Sequence, residues 1–317
     1  MRIALTGATG FIGRYLVRHL IEAGHRLRCW RRPQSDRTGF EPREDSLEWI
    51  AGDLGDARAS DQLVSGCEAV VHAALYHPGG GFRGGEGDLV PFVEKNVLGT
   101  IRLIEAARRA GAARFVFIST CAVHEKILED RPLDEAHPLW PTSHYGAHKA
   151  AIEKFVHSYG LGIGYPICAL RPTGVYGLNH PAEASKWYEL VAAVVRGETV
   201  SCQGGGKEVH AADVARAVEL LLKAQNVAGE AYNCYDRYIS EYEVAQIARR
   251  VANRSGEIAG DRKEPKHEIE TGKTGGKRGH LALHSRKQGN PSCVGINACP
   301  QILWSENLPP GDPRLVA

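Results

Sequence analysis

Long apolar runs are missing from this chain, and with them any stretch able to span a bilayer as a helix, which takes about 20 consecutive apolar residues. The first apolar stretch is broken by glycines and carries no cleavage region, so the expectation is a cytoplasmic protein with no membrane contact. An excess of one charge is lacking too: 39 Lys and Arg stand against 37 Asp and Glu, a net charge of +2. That gives no general reason to expect nucleic acid as a partner, and a small-molecule substrate fits better. Paired cysteine spacing is absent as well. Cys29, Cys67, Cys121, Cys168, Cys202, Cys234, Cys293 and Cys299 are scattered, most within apolar stretches, which reads as reduced core thiols and not as a disulfide scaffold or zinc ribbon. His280 and His284 with Cys293 and Cys299 form the one arrangement that resembles a metal site, but nothing around them predicts a rigid scaffold, so no metal is expected.

What is present begins at the N-terminus. An apolar strand, Ile3-Ala4-Leu5, runs into Thr6-Gly7-Ala8-Thr9-Gly10-Phe11-Ile12-Gly13 and then into a stripe of Ile12, Leu16 and Leu20 at helical spacing. In a strand-turn-helix of this kind Gly7 permits the tight turn, Gly10 lets backbone amides approach a pyrophosphate and Gly13 lets helix and strand pack closely. Further strand-like runs at 26–30, 47–51, 69–74, 114–119 and 167–171 alternate with helical stretches at 92–110 and 147–159. This alternation predicts an α/β fold, a Rossmann-type doubly wound parallel sheet over residues 1–172. Beyond Pro172 the pattern loosens into helices at 184–196, 212–224 and after Ser240, where Ser240 and Glu243 have capping-box spacing. These predict a smaller substrate lobe over 173–273, part of which returns to the sheet. Residues 79–85 form a glycine-rich insertion, either a lid or a long loop. Residues 274–317 carry six glycines and five prolines, near the level of poorly ordered sequence, and helical periodicity stops at Lys273 as it would at an aberrant terminus.

Tyr145-Gly146-Ala147-His148-Lys149 sets a phenol and an ammonium one helical turn apart on one face. A free tyrosine, with a pKa of about 10, is a poor base at neutral pH, and a nearby cation is expected to lower it. In hydride transfer at a carbinol or carbonyl, Tyr145 would exchange the hydroxyl proton while a nicotinamide exchanges the hydride. Thr120 at the end of a strand would hold the reacting oxygen, with Ser119 as the alternate hydroxyl.

In these motifs and their order the chain resembles the extended short-chain dehydrogenase/reductase family, in its NAD-dependent epimerase/dehydratase branch, over residues 1–253. The family's glycine turn falls on Gly7, Gly10 and Gly13, with Thr9, Phe11 and Ile12 between; its adenine-side pair on Asp53-Leu54; its post-strand segment on His72-Ala73-Ala74; and its Asn-Val-x-Gly-Thr on Asn96-Val97-Leu98-Gly99-Thr100. Its catalytic Ser/Thr, Tyr and Lys fall on Thr120, Tyr145 and Lys149, and its Arg-Pro motif lining the nicotinamide runs from Arg171-Pro172 through Val175. The resemblance implies an epimerase/dehydratase-type oxidoreductase acting on a sugar or nucleotide sugar, and a homodimer built on the helices at 92–110 and around Tyr145. Two departures qualify this. Where NAD-specific members carry an acid at the end of the second strand, this chain has Trp30-Arg31-Arg32, which suits a 2′-phosphate, so NADP(H) is favoured over NAD(H). Where many members hold the substrate pyrophosphate with arginine before a Val-His-x-x-Asp-Val segment, this chain has Gly206 and Lys207 before Val209-His210. An NADPH-dependent carbonyl reductase and a non-catalytic NADP-binding regulatory protein are the alternative readings.

Overall fold

The structure is a computed structural model that describes residues 1–79 and 85–271. Most of the glycine-rich insertion, the histidines and cysteines weighed as a metal site, and residues 274–317 lie outside the described residues. In chain order, the first half comprises β1 (Arg2–Thr6), α1 (Phe11–Glu22), β2 (Arg26–Arg31), β3 (Leu47–Ala51), α2 (Ala57–Val64), β4 (Ala69–His72), α3 (Leu89–Val93), α4 (Gly99–Arg109), β5 (Arg114–Ile118), α5 (His144–His157) and β6 (Ile167–Pro172). There follow β7 (Gly174–Tyr176), α6 (Tyr188–Arg196), β8 (Val200–Cys202), β9 (Gly205–His210), α7 (Ala211–Lys223), β10 (Glu230–Cys234), β11 (Arg237–Ser240), α8 (Glu241–Val251) and β12 (Ile258–Gly260).

These elements form two compact units. The first holds Met1–Thr173, Ala211–Cys234 and 269–271; the second holds Gly174–His210 and Tyr235–Glu268. Seven parallel strands in the order β10-β6-β5-β4-β1-β2-β3 make the sheet of the first unit. Its central strands are buried along almost their whole length, as Val70, Val71, Phe115, Val116 and Phe117 show, because a parallel sheet is covered by helices on both faces. On one side α1 packs against α7, where the His19 imidazole meets the Glu219 carboxylate at 2.7 Å; on the other α2 packs against α4. Helix α1 buries Gly13, Leu16, Val17 and Leu20, the stripe legible in the sequence.

The part of the chain that returns to the sheet is α7 with β10, within the stretch that the sequence assigns to the second lobe. Strand β10 was not legible because Glu-Ala-Tyr-Asn-Cys neither alternates nor forms an apolar run. The helix expected at 92–110 is interrupted by a π-helical turn over Glu94–Leu98, which carries Asn96 into the protein interior.

In the second unit, a three-stranded sheet (β11-β9-β7) and a two-stranded one (β12-β8) accompany α6 and α8. The two helices pack together around Val191, Val194, Val195, Ala245 and Ala248. Helix α8 opens with the Ser240–Glu243 capping box. The six cysteines among the described residues are free thiols. Among the described residues, no helix is long and apolar enough to cross a membrane.

Candidate active site

Strands β1 and β4 are neighbours whose connections leave in opposite directions, which opens a crevice beyond their carboxyl ends. The turn after β1 is tightly fitted there. Gly7 has φ +76°, and a Cβ on it would lie 2.7 Å from the Ala73 backbone; one on Gly13 would lie 1.9 Å from the Gly7 carbonyl oxygen. The protein's own packing therefore requires both glycines. Gly10 is different, since a Cβ there would meet only the Gly7 carbonyl oxygen, at 3.3 Å. Gly10 is also the N-cap of α1, with no side-chain cap and no acid in the first turn. The positive end of a twelve-residue helix thus has neither a side-chain cap nor an acid in its own first turn, which fits a pyrophosphate. Thr9 sits in the same turn, and Phe11 and Ile12 open α1.

A hydrogen-bond chain underlies the crevice. The Thr6 hydroxyl accepts from the Ala73 and Ala74 amides, each at 3.1 Å, and so donates to His72 Nδ1 at 2.6 Å. The Thr100 hydroxyl donates to the Asn96 carbonyl at 2.6 Å and so accepts from His72 Nε2 at 2.8 Å. This order needs a neutral His72, and burial, helped by the Lys149 charge, pushes its pKa down to about 3. The Asn96 side-chain amide pairs with both backbone groups of Tyr76, at 2.8 and 2.9 Å. It holds the loop after β4.

Asp53 accepts from the Gly55 amide at 2.7 Å, and the buried Leu54 presses its carbonyl against Gly99, where a Cβ would lie 2.2 Å away. Arg31 ends β2 and Arg32 follows it; among the described residues neither guanidinium has a hydrogen-bond or ion-pair partner. Pro172 ends β6, whereas Val175 belongs to β7 in the second unit. Arg171 is fully buried and grips the Glu153 carboxylate, Nη2 to Oε2 at 2.6 Å and Nε to Oε1 at 3.0 Å.

Helix α5 starts at Ser143, whose hydroxyl caps the Gly146 amide at 3.1 Å, and this start places Tyr145 in the first turn. Thr120 sits just past β5, capping a short turn through the Ala122 amide at 3.1 Å and hydrogen-bonding the Tyr145 phenol. Lys149 is buried, with its ammonium donating to the Ile118 carbonyl at 2.7 Å and lying over the Phe117 ring at 4.6 Å. The electrostatics correct the sequence expectation. Burial raises the Tyr145 phenol above its ordinary value, and the bond from Thr120, not the Lys149 charge, is what lowers it. Lys149 itself is pushed down to about 7 by burial, with Glu153 opposing the shift. A cation bonded to a strand carbonyl directs its charge there, which is why the spacing alone misjudged its effect on the phenol.

Ser119 does not act as a second free hydroxyl, since it donates to Glu153 Oε1. Three further groups were not singled out from the sequence. His148 packs edge-on against Phe92 and Tyr145, with burial pushing it down to about 2. Glu86 accepts from the Tyr145 amide at 3.3 Å. Glu153 had a legible signal, as the third member of a Tyr145, Lys149, Glu153 ladder at four-residue spacing.

A doubly wound sheet with a glycine-lined, uncapped helix start at its switch point, and a phenol, a threonine and a lysine gathered at β5 and α5, defines a class: enzymes that use a bound dinucleotide for hydride transfer. The chain matches the NAD dependent epimerase/dehydratase family over residues 3–234, and it belongs to that family. It is 32% identical over 254 residues to a dTDP-glucose 4,6-dehydratase of Streptomyces antibioticus, covering 74% of this chain and 71% of that one. It is 31% identical over 248 residues, 73% of this chain, to a trifunctional UDP-glucose 4,6-dehydratase/UDP-4-keto-6-deoxy-D-glucose 3,5-epimerase/UDP-4-keto-L-rhamnose-reductase of Arabidopsis thaliana, of whose length the match spans 36%. Among solved structures, a dTDP-glucose 4,6-dehydratase from Streptomyces venezuelae with NAD bound superposes with a TM-score of 0.71 at 25% identity, covering 92% of this chain and 94% of that one. The chain is an NAD-dependent enzyme of the short-chain dehydrogenase type.

Proposed function

We propose that this enzyme performs epimerase/dehydratase-type hydride transfer at a carbinol or carbonyl of a sugar or nucleotide sugar, with Tyr145 as its acid/base. The observation that carries the reading is the Tyr145 phenol bonded to Thr120, one helical turn before the buried Lys149 ammonium. The residues fit a dinucleotide: the uncapped start of α1 at Gly10 suits its pyrophosphate, and Gly7 and Gly13 keep that turn close to the sheet. Asp53 and Leu54 suit the adenine side; Ala73 and Ala74, beside the turn, suit the rest of the dinucleotide. When bound, the nicotinamide supplies the hydride acceptor and donor.

The protein's part is proton transfer and positioning. Tyr145 Oη takes the carbinol proton as the oxygen becomes a carbonyl, and returns it when the carbonyl is reduced. Thr120 donates to whichever of the two oxygens carries the negative charge. Lys149 holds its ammonium on the Ile118 carbonyl one helical turn away, and the Thr120 bond is the contact that favours the phenolate.

Nucleotide sugars are the first substrates to test because the named relatives act on them. Gly206 and Lys207 stand where many family members have a pyrophosphate-binding arginine, and lysine offers a point charge in place of a bidentate fork. Arg31 and Arg32, without protein partners among the described residues, favour NADP(H) over NAD(H) by charge. A homodimer through the helical segment 89–109 and α5 is supported by exposed apolar side chains on both, Leu89, Val90, Val93 and Leu98 on one and Phe155 on the other. Sedimentation of the protein reads that state directly.

The test is product analysis. The enzyme is incubated with NAD or NADP and with UDP-glucose or dTDP-glucose, and the sugar is followed by proton NMR. Inversion or ketone formation supports the reading. A nucleotide-loaded protein that converts neither these nor a panel of free sugars overturns it.

A further inference from the structure

Behind the Tyr145, Thr120 and Lys149 side chains lies a polar core that the proton-transfer scheme leaves unused. Glu153 is completely buried on α5, one turn beyond Lys149. Its Oε1 accepts from the Ser119 hydroxyl and from Arg171 Nε, and its Oε2 accepts from Arg171 Nη2 and Nε at 2.6 and 3.1 Å. Arg171 on β6 is filled in turn by the Glu135 carbonyl and by His124 Nε2, each at 3.1 Å from Nη1. One carboxylate therefore ties three elements together: α5, which carries Tyr145 and Lys149; the end of β5, where Ser119 precedes Thr120; and β6.

Resting on the reading of the site given above, we propose that Glu153 is its positioning residue, fixing the Ser119-Thr120 end of β5 against α5 and setting a buried carboxylate one helical turn beyond the Lys149 ammonium. The charges around Lys149 support this assignment. His72 on β4 and His148 on α5 are buried and held neutral, Arg171 on β6 is cationic and already paired, and the strand side offers the Ile118 carbonyl and the Phe117 ring. Glu153 is the acid that opposes the desolvation of Lys149.

The test uses the full chain and needs no substrate. The Lys149 Nζ titration is followed by carbon NMR of lysine-labelled protein, with the signal assigned by its loss in Lys149→Met. In Glu153→Gln the Lys149 transition should move to lower pH by about one unit or more. Because Glu153→Gln leaves the Arg171 charge buried and unpaired, Glu153→Gln combined with Arg171→Met provides a second variant in which neither charge remains, and its Lys149 transition should fall between those of the unmodified protein and Glu153→Gln. An unmoved Lys149 transition in a folded variant overturns the proposal. Turnover separates this outcome from failure of the catalytic reading. With UDP-glucose as probe, Glu153→Gln should lower kcat with little change in KM, and its alkaline limb should move down with the lysine. If Tyr145→Phe leaves turnover intact, the catalytic reading fails; if Tyr145→Phe abolishes turnover while the lysine titration in Glu153→Gln is unmoved, only the role of Glu153 fails.

Discussion

At the scale of the residue, the site contrasts groups that the protein has already satisfied with groups that it leaves for a ligand. The side chains of Ser119, Asn96 and Arg171 bond other parts of the protein, while among the described residues Arg31 and Arg32 have no side-chain partner and α1 has no side-chain cap. Sequence spacing found the members of both sets and could not sort them, because satisfaction depends on Tyr76, Glu153 and Glu135, which are distant in the chain. Tyr145→Phe should lower turnover by roughly 10²–10⁴-fold, the usual contribution of a positioned acid/base, while nucleotide affinity measured by calorimetry stays within a few-fold. Unchanged turnover would remove Tyr145 from the mechanism. Arg31→Ser with Arg32→Ser should weaken NADPH about tenfold or more and leave NADH nearly unaffected, since a charge-assisted bond to phosphate contributes about 1.5–3 kcal/mol. Equal losses for both nucleotides would mean that the arginines are solvated bystanders.

Elements show why the parallel sheet was legible and the second unit less so. Strand β5 reads Arg-Phe-Val-Phe-Ile and β4 reads Ala-Val-Val-His, apolar runs that only a sheet covered on both faces produces. Strands β7 and β8 are three residues each, β9 opens on two glycines followed by Lys and Glu, and their pairing is set by partners remote in sequence. The π-helical turn at Asn96 is invisible to periodicity for the same reason, since its inward amide is fixed by the Tyr76 backbone. The turn between β1 and α1 gives the sharpest test at this scale. Gly13→Ala drives a methyl into the Gly7 carbonyl and should destabilise the fold by about 3 kcal/mol, near the upper end for overpacking, which a denaturant melt reads. Gly10→Ala meets only one oxygen at 3.3 Å, so its melt should stay close to that of the unmodified protein while dinucleotide affinity falls about tenfold. Equal destabilisation by the two substitutions would show that Gly10 also serves packing and not the ligand.

For the whole molecule, the buried histidines dictate how stability depends on pH. His72, His124 and His148 are held at about 3, 4 and 2 by burial, against an ordinary value near 6.5 when unfolded. Below pH 6.5 the unfolded chain takes up protons that the folded one refuses, so stability is complete above that value and is lost as the pH falls. Between pH 6.5 and 5 each histidine removes about 1.5 kcal/mol, and the three together remove about 5 kcal/mol, the lower end of what a whole domain possesses. Thermal melts at pH 7 and pH 5 should therefore differ by well over ten degrees, and a melting temperature that stays flat would contradict the neutral network built around His72. The central claim, that Tyr145 and a bound dinucleotide together oxidise a sugar carbinol, is tested most directly by stopped-flow absorbance of the nicotinamide. Nucleotide-loaded enzyme mixed with UDP-glucose or dTDP-glucose should show reduced nicotinamide appearing within a turnover, and Tyr145→Phe should not show it. A loaded enzyme that forms no reduced nicotinamide with any nucleotide sugar or free sugar would contradict the account.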